Sequence, residues 1–125
     1  MPFVFDTETY DITMACGDTA SVVVDIDWDK LNPGDVVLFA IFDRSTGKDK
    51  LVKTVEIEEG RANIRLCNHD TRDVEAGKYK WNLRIVTSPS FGEDGSVAAD
   101  ECTDEVVTVF NSPPNFKLTR GGARV

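Results

Sequence analysis

The chain has 125 residues and a mass of 13.8 kDa, which fits one domain and leaves no room for a second independent core. Its 22 acidic residues against 14 basic ones give a formal charge of −8, so no basic excess exists to neutralise a phosphate backbone, and nucleic-acid binding is excluded. The longest apolar run, Val36 to Phe42, falls far short of the roughly 20 residues a membrane-spanning helix needs.

The opening Met-Pro-Phe-Val-Phe-Asp-Thr-Glu has no basic leader and turns acidic at Asp6, so no secretion signal is expected. Side-chain chemistry then sets the fold class. Valine occurs 15 times against 6 leucines, threonine adds 11 strand-compatible positions, and no window holds helical apolar spacing for more than a turn or two. Period-2 alternation recurs instead. In chain order, strands are predicted over roughly 9–15, 20–28, 35–43, 50–58, 61–67, 77–87, 104–111 and 115–119. Val22, Val24, Ile26 and Trp28 face one way while Ser21, Val23, Asp25 and Asp27 face the other. Leu51, Val55 and Ile57 alternate with Val52, Thr54 and Glu56, and Ala62, Ile64 and Leu66 alternate with Asn63 and Arg65. Tyr79, Trp81, Leu83 and Ile85 alternate with Lys78, Lys80, Asn82 and Arg84. Turn chemistry separates the runs at Gly17-Asp18, Asn32-Pro33-Gly34-Asp35, Thr46-Gly47, Glu59-Gly60 and Ala76-Gly77. The expectation is an all-β, immunoglobulin-like antiparallel sandwich of about seven to eight strands over residues 1–111, with a small closed barrel as its rival. Residues 112–125, locally basic and rich in proline and glycine, read as a tail or linker.

Within that frame, Gly77-Lys-Tyr79-Lys-Trp81 places a tyrosine just after a strand begins. It forms either a tyrosine corner or a plain edge-to-core contact. Trp81 stands where immunoglobulin domains carry their second cysteine. Two segments depart from ordinary core patterning. Val36 to Phe42 is apolar on both faces, so Val36, Leu38, Ala40 and Phe42 need cover from the chain ends or from a neighbouring subunit. The stretch 87–104 lacks periodicity and reads as a mobile hairpin loop or a contact surface. Phe42 and Phe91 are therefore the candidate partner contacts, and replacing Phe91 by Asp is expected to abolish assembly without unfolding the chain.

Candidates for chemistry are few. Cys16, Cys67 and Cys102 contain no CxxC pair and the only histidine is His69, so neither a zinc centre nor a required disulfide framework is expected. Cys67, His69 and Asp70 have the look of a nucleophilic set but lack an independent base or an oxyanion glycine motif. Asp25-x-Asp27-x-Asp29 opens like a calcium loop, yet Lys30 and Val36 occupy the positions where such a loop needs glycine and glutamate. These aspartates read as a solvated strand face. No catalytic residue, no metal site and no cofactor is expected. Trp28, Tyr79 and Trp81 fall in the inward phase, which argues against an exposed sugar platform.

The order of short signatures does carry a resemblance. Ile12-Thr-Met-Ala-Cys-Gly17-Asp18-Thr19 is followed by the valine-rich strand, Gly34-Asp35-Val-Val-Leu-Phe39 and Leu51-Val-Lys-Thr. Asp70-Thr71 and Gly77-Lys-Tyr79-Lys-Trp81-Asn-Leu83 come after. Over about residues 8–110 this resembles the N-terminal domain of phage baseplate upper proteins and similar prophage tail modules. The resemblance implies an immunoglobulin-like adaptor without catalysis, whose partners are other tail or baseplate proteins or a second copy of itself. It further implies a setting in the virion, or in the host cytoplasm before assembly. Asn82 stands where that family often has aspartate. The alternative is a stand-alone bacterial sandwich that binds a carbohydrate or another ligand.

Overall fold

The computed structural model describes residues 3–26, 31, 33–87, 90–91, 97–98 and 106–120. Among these residues eleven strands form: β1 (Val4–Phe5), β2 (Ile12–Ala15), β3 (Ala20–Asp25), β4 (Val36–Phe42), β5 (Asp49–Glu58), β6 (Arg61–Leu66), β7 (Gly77–Val86), β8 (Ser90–Phe91), β9 (Val97–Ala98), β10 (Val106–Thr108) and β11 (Asn115–Thr119). A single helical turn, α1 (Asn68–Thr71), lies between β6 and β7. The fold is all-β and sandwich-like, and the eight strands expected from alternation all form.

The strand order is β1-β2-β11-β7-β4-β5-β6-β3, with β10 also on β7, and this ladder curls over a common core. β5 makes the curl possible. Its first part pairs with β4 from Asp49 to Glu56, and its last two residues, Ile57 and Glu58, pair with Ala62 and Arg61 of β6. One long strand thus leaves the first layer and enters the second. Between the layers lie Ile12, Met14, Phe39, Ile41, Trp81, Leu83, Phe116 and Leu118 from one side and Val22, Ala62, Ile64 and Leu66 from the other. These are the inward phases of the alternating runs, and each fully buried side chain of this size contributes about 1.5–3 kcal/mol.

Three features differ from expectation. The ladder is not wholly antiparallel: β11 runs parallel to β2, with Phe116 opposite Ile12 and Thr119 opposite Ala15. The segment 112–125 is not simply a tail, because Asn115–Thr119 is a strand paired on both sides, with Phe116 and Leu118 in the core. The strand expected over 115–119 thus forms inside the segment whose basic, glycine-rich composition reads as a tail. Finally, β4 is not covered by the described chain ends, which enter the sheet as strands. Register instead sets Leu38 between Arg84 and Thr54, Ala40 between Asn82 and Val52, and Phe42 beside Lys80. The long aliphatic stems of such neighbours shield apolar surface while keeping their charges in water.

The β5–β6 hairpin turns through Glu59 (φ 50°) and Gly60 (φ 74°), both left-handed, as a two-residue turn matched to strand twist requires. Glycine adopts this conformation freely, whereas glutamate pays a steric cost of about 1 kcal/mol. Glu59→Asn is therefore expected to raise the unfolding free energy by about 0.5–1 kcal/mol. Denaturant titration should show a higher midpoint at unchanged slope.

Candidate functional site

Two ends of the sandwich have different tasks, and register distinguishes them. Val36 of β4, Val86 of β7 and Val106 of β10 lie side by side at one end, and segments 27–35 and 87–105 both spring from there. Gly77 and Phe42 mark the opposite end, beside α1 and the 16–19 turn.

The α1 end is a fastening. The Tyr79 hydroxyl donates to the Glu75 carbonyl, which completes a tyrosine corner. Burial, reinforced by the Glu75 carboxylate, pushes the Tyr79 hydroxyl above its ordinary value, so it stays a donor. Thr71, fully buried, accepts the Gly17 N–H at 3.0 Å, and the Cys16 thiol reaches the Val74 carbonyl at 3.4 Å. Gly17 has φ +84°, and a Cβ there would sit 3.5 Å from Arg72 Cβ. Short motifs far apart in the chain, Gly17-Asp18-Thr19, Asp70-Thr71 and Gly77-Lys-Tyr79, are thereby joined at one place.

Asp70 is committed to the same fastening. Its Oδ2 accepts the Cys67 N–H and the Lys53 ammonium, each at 2.7 Å, and His69 Nε2 lies 3.4 Å from Oδ1. Cys67, His69 and Asp70 are thus brought together, with the carboxylate engaged by a backbone amide and a lysine. Burial opposes the Asp70 charge, but the hydrogen bonds from Lys53 and Cys67 outweigh it and hold the carboxyl below its ordinary value. Among the described residues no group of side chains is arranged to hold a metal ion. Of the aspartate triplet, Asp25 pairs with Arg61 at 3.0 Å, while Asp27 and Asp29 lie outside the described residues.

Lys53 also marks a groove. Although β5 and β6 meet at their hairpin, they diverge beyond Ile57, and the Lys53 ammonium spans the gap to the Arg65 carbonyl at 2.6 Å. The opening has a volume of about 950 Å³, with Glu56 and Glu58 on one wall and Arg61, Asn63 and Arg65 on the other. Charges of both signs line it and favour no single class of ligand.

The other end presents a different surface. β10 pairs with β7 along one edge, and Val106, Val107 and Val109 are 47%, 36% and 39% exposed. β7 supports two strands in succession on that edge, β10 beside residues 84–86 and β11 beside residues 77–80. Asn82 manages the break between them. Its Oδ1 accepts the Phe110 N–H at 3.1 Å and its Nδ2 donates to the Phe110 carbonyl at 3.0 Å. On either side, Val109 N–H reaches Leu83 and Trp81 N–H reaches the Pro114 carbonyl. The 110–113 excursion carries Phe110 onto Trp81 and Tyr10, with ring centroids 5.1 and 5.4 Å away. Asparagine supplies both donor and acceptor here, which aspartate cannot.

Of the sequence-derived contacts, Phe42 is half-buried at the Lys80 end of β4. Phe91 lies in β8, a few residues beyond the opposite end of β7, and its side chain lies outside the described residues. Sequence reasoning missed the display of β10. Its signal was the run Val-Val-Thr-Val, too apolar for alternation and too short for a core strand. Tyr79 and Trp81 are buried as expected, and Trp28 and Cys102 lie outside the described residues.

Comparison with protein families, with curated proteins and with solved structures finds no match. No described helix is long and apolar enough to cross a membrane.

Two outcomes follow for this architecture. Asn82→Asp removes the donor to the Phe110 carbonyl and sets a carboxylate against it, which should cost about 1–3 kcal/mol in thermal or denaturant unfolding. Because the Asp70 carboxyl is depressed in the folded state, its stabilising share is present above its unfolded value, near 3.9, and is lost as pH falls through the folded value. Asp70→Asn should therefore flatten the acid limb of a stability–pH profile. A residual slope remains from Asp6 and Asp43, which backbone N–H groups of Glu8 and Ser45 hold below their ordinary values.

Proposed function

We propose that this chain is a non-catalytic structural module acting through protein–protein contacts, of the kind that joins components of a phage or prophage tail or baseplate. The observation that carries the reading is β10, which among the described residues pairs on one edge alone and displays Val106 and Val107, with Val109 just beyond it, to solvent. Native proteins blunt such edges with lysine, proline or a cover, because an open row of backbone donors and acceptors invites another chain. Residues 106–109 contain neither lysine nor proline. The motif order that resembles baseplate modules supports the tail setting. Its partners are then other tail or baseplate proteins, or a second copy of the chain, met in the virion or in the host cytoplasm before assembly.

A carbohydrate-binding sandwich has one observation in its favour: the Tyr10 ring is 46% exposed and braced edge-on by Phe5 at 6.2 Å. The two readings separate experimentally. Val106→Lys and Val107→Lys should each weaken association with the proteins encoded beside this gene, measured by light scattering on co-purified complexes, while circular dichroism stays unchanged. Melting temperature should not move across a glycan panel. A glycan-dependent rise that Tyr10→Ala abolishes would replace docking by sugar binding, since a ligand that binds only the folded state raises its stability by mass action.

A further inference from the structure

Resting on that docking role, we infer that the free edge of β10 receives an extended segment of another protein, with β-branched residues at its centre and lysine or arginine at its ends. The direction of the backbone groups comes first. The Val109 N–H donates to the Leu83 carbonyl at 2.9 Å and so faces β7. Donors and acceptors alternate in direction along an antiparallel strand, so Val107 faces β7 as well. The N–H and C=O of Val106 and Thr108 face away from it, toward the open edge.

Among the described residues no strand occupies the next row of the sheet at this place. Beside β11 the next row is filled by β2, which begins at Ile12 opposite Phe116. Ahead of Ile12 the chain turns away at Tyr10, whose ring packs on Phe110. Among the described residues nothing continues that row beside β10. An added strand there would lie in line with β2 and span four residues, about 13 Å. Main-chain bonds to Val106 and Thr108 would give affinity, and the exposed valine side chains would set the preference for β-branched neighbours.

Charge chooses the occupant. The chain carries −8 overall, and between Arg84 and Lys117 it contains no lysine or arginine but has Glu93, Asp94, Asp100, Glu101, Asp104 and Glu105. In the sequence Asp104 and Glu105 directly precede Val106, and the cation beside β10 is Arg84, whose Nε lies 3.4 Å from Thr108 Oγ1. A second copy would bring the same excess of negative charge to the edge, whereas a basic segment is drawn to it and held in register.

The experiment uses the full chain, immobilised, and a pool of short peptides whose central residues are drawn from Val, Ile and Thr and whose ends carry either lysines or glutamates. Lysine-ended peptides should be selected, and their binding should fall as salt rises. Thr108→Pro removes an N–H that faces the open edge and leaves the β10–β7 bonds intact, so it should weaken binding by at least about tenfold. Val106→Glu provides a second check that adds negative charge. If strand addition is the mode, binding falls; if binding rises, the attraction is electrostatic alone and strand addition is refuted. Equal selection of glutamate-ended peptides, or no selection at all, overturns the inference about the partner. A wild-type dimer in sedimentation that Thr108→Pro converts to monomer would make a second copy the occupant, overturning this inference while leaving the docking role standing. Assembly with neighbouring proteins that ignores both β10 variants removes the edge from the docking role itself.

Discussion

The fold depends on where one indole proton goes. Trp81 is buried completely, and an unmet donor in that position would cost about 1–3 kcal/mol. Its Nε1–H finds the carbonyl of Tyr10 at 2.9 Å, 71 positions away in the chain. Tyr10 reaches that position in a left-handed conformation (φ 63°), with its own N–H held by the Asp6 carbonyl and the Asp6 carboxylate capping the turn before it. Asp11, next in line, accepts the Asn115 N–H at 2.8 Å. From one buried donor the path runs to the first loop, and from there to the pairing of the first long strand with the last.

Asn82 extends the same logic to the next residue. Trp81 points inward and secures the N-terminal arm; Asn82 points the other way and secures Phe110. Between them they interrupt the final stretch of the chain, so that β10 and β11 share β7 instead of forming one strand. Among the described residues the interruption leaves β10 paired with β7 alone, whereas β11 has two neighbours. The surface proposed to dock a partner is thus a by-product of how the core aromatic residue is satisfied. Rings carry the connection from Phe116 through Phe39, Trp81 and Phe110 to Tyr10, each step between 5.1 and 6.3 Å.

Much of this was legible in residue order because sheets with one dry face write themselves in steps of two. Val22, Ile64, Leu66, Trp81 and Leu83 all occupy the side their alternation assigns them. Tyr79 was legible as a possible corner, but its acceptor was not, since a hydroxyl's partner is set by the turn in front of it. Long-range matters left no local trace. Nothing near Asn82 tells that its amide will stand in for a stretch of ladder with Phe110. Nor does anything near Phe116 reveal a parallel neighbour a hundred residues earlier. The open flank of β10 was the least legible feature, because exposure depends on which strand is missing alongside it.

The parallel pairing of β2 and β11 has a mechanical consequence. Tension applied at the start of β2 and the end of β11 acts along the two strands in opposite senses. The hydrogen bonds joining Ile12–Ala15 to Asn115–Thr119 then carry the load together, in shear, instead of unzipping one after another. A body strung through these two strands resists stretching far better than its modest size suggests.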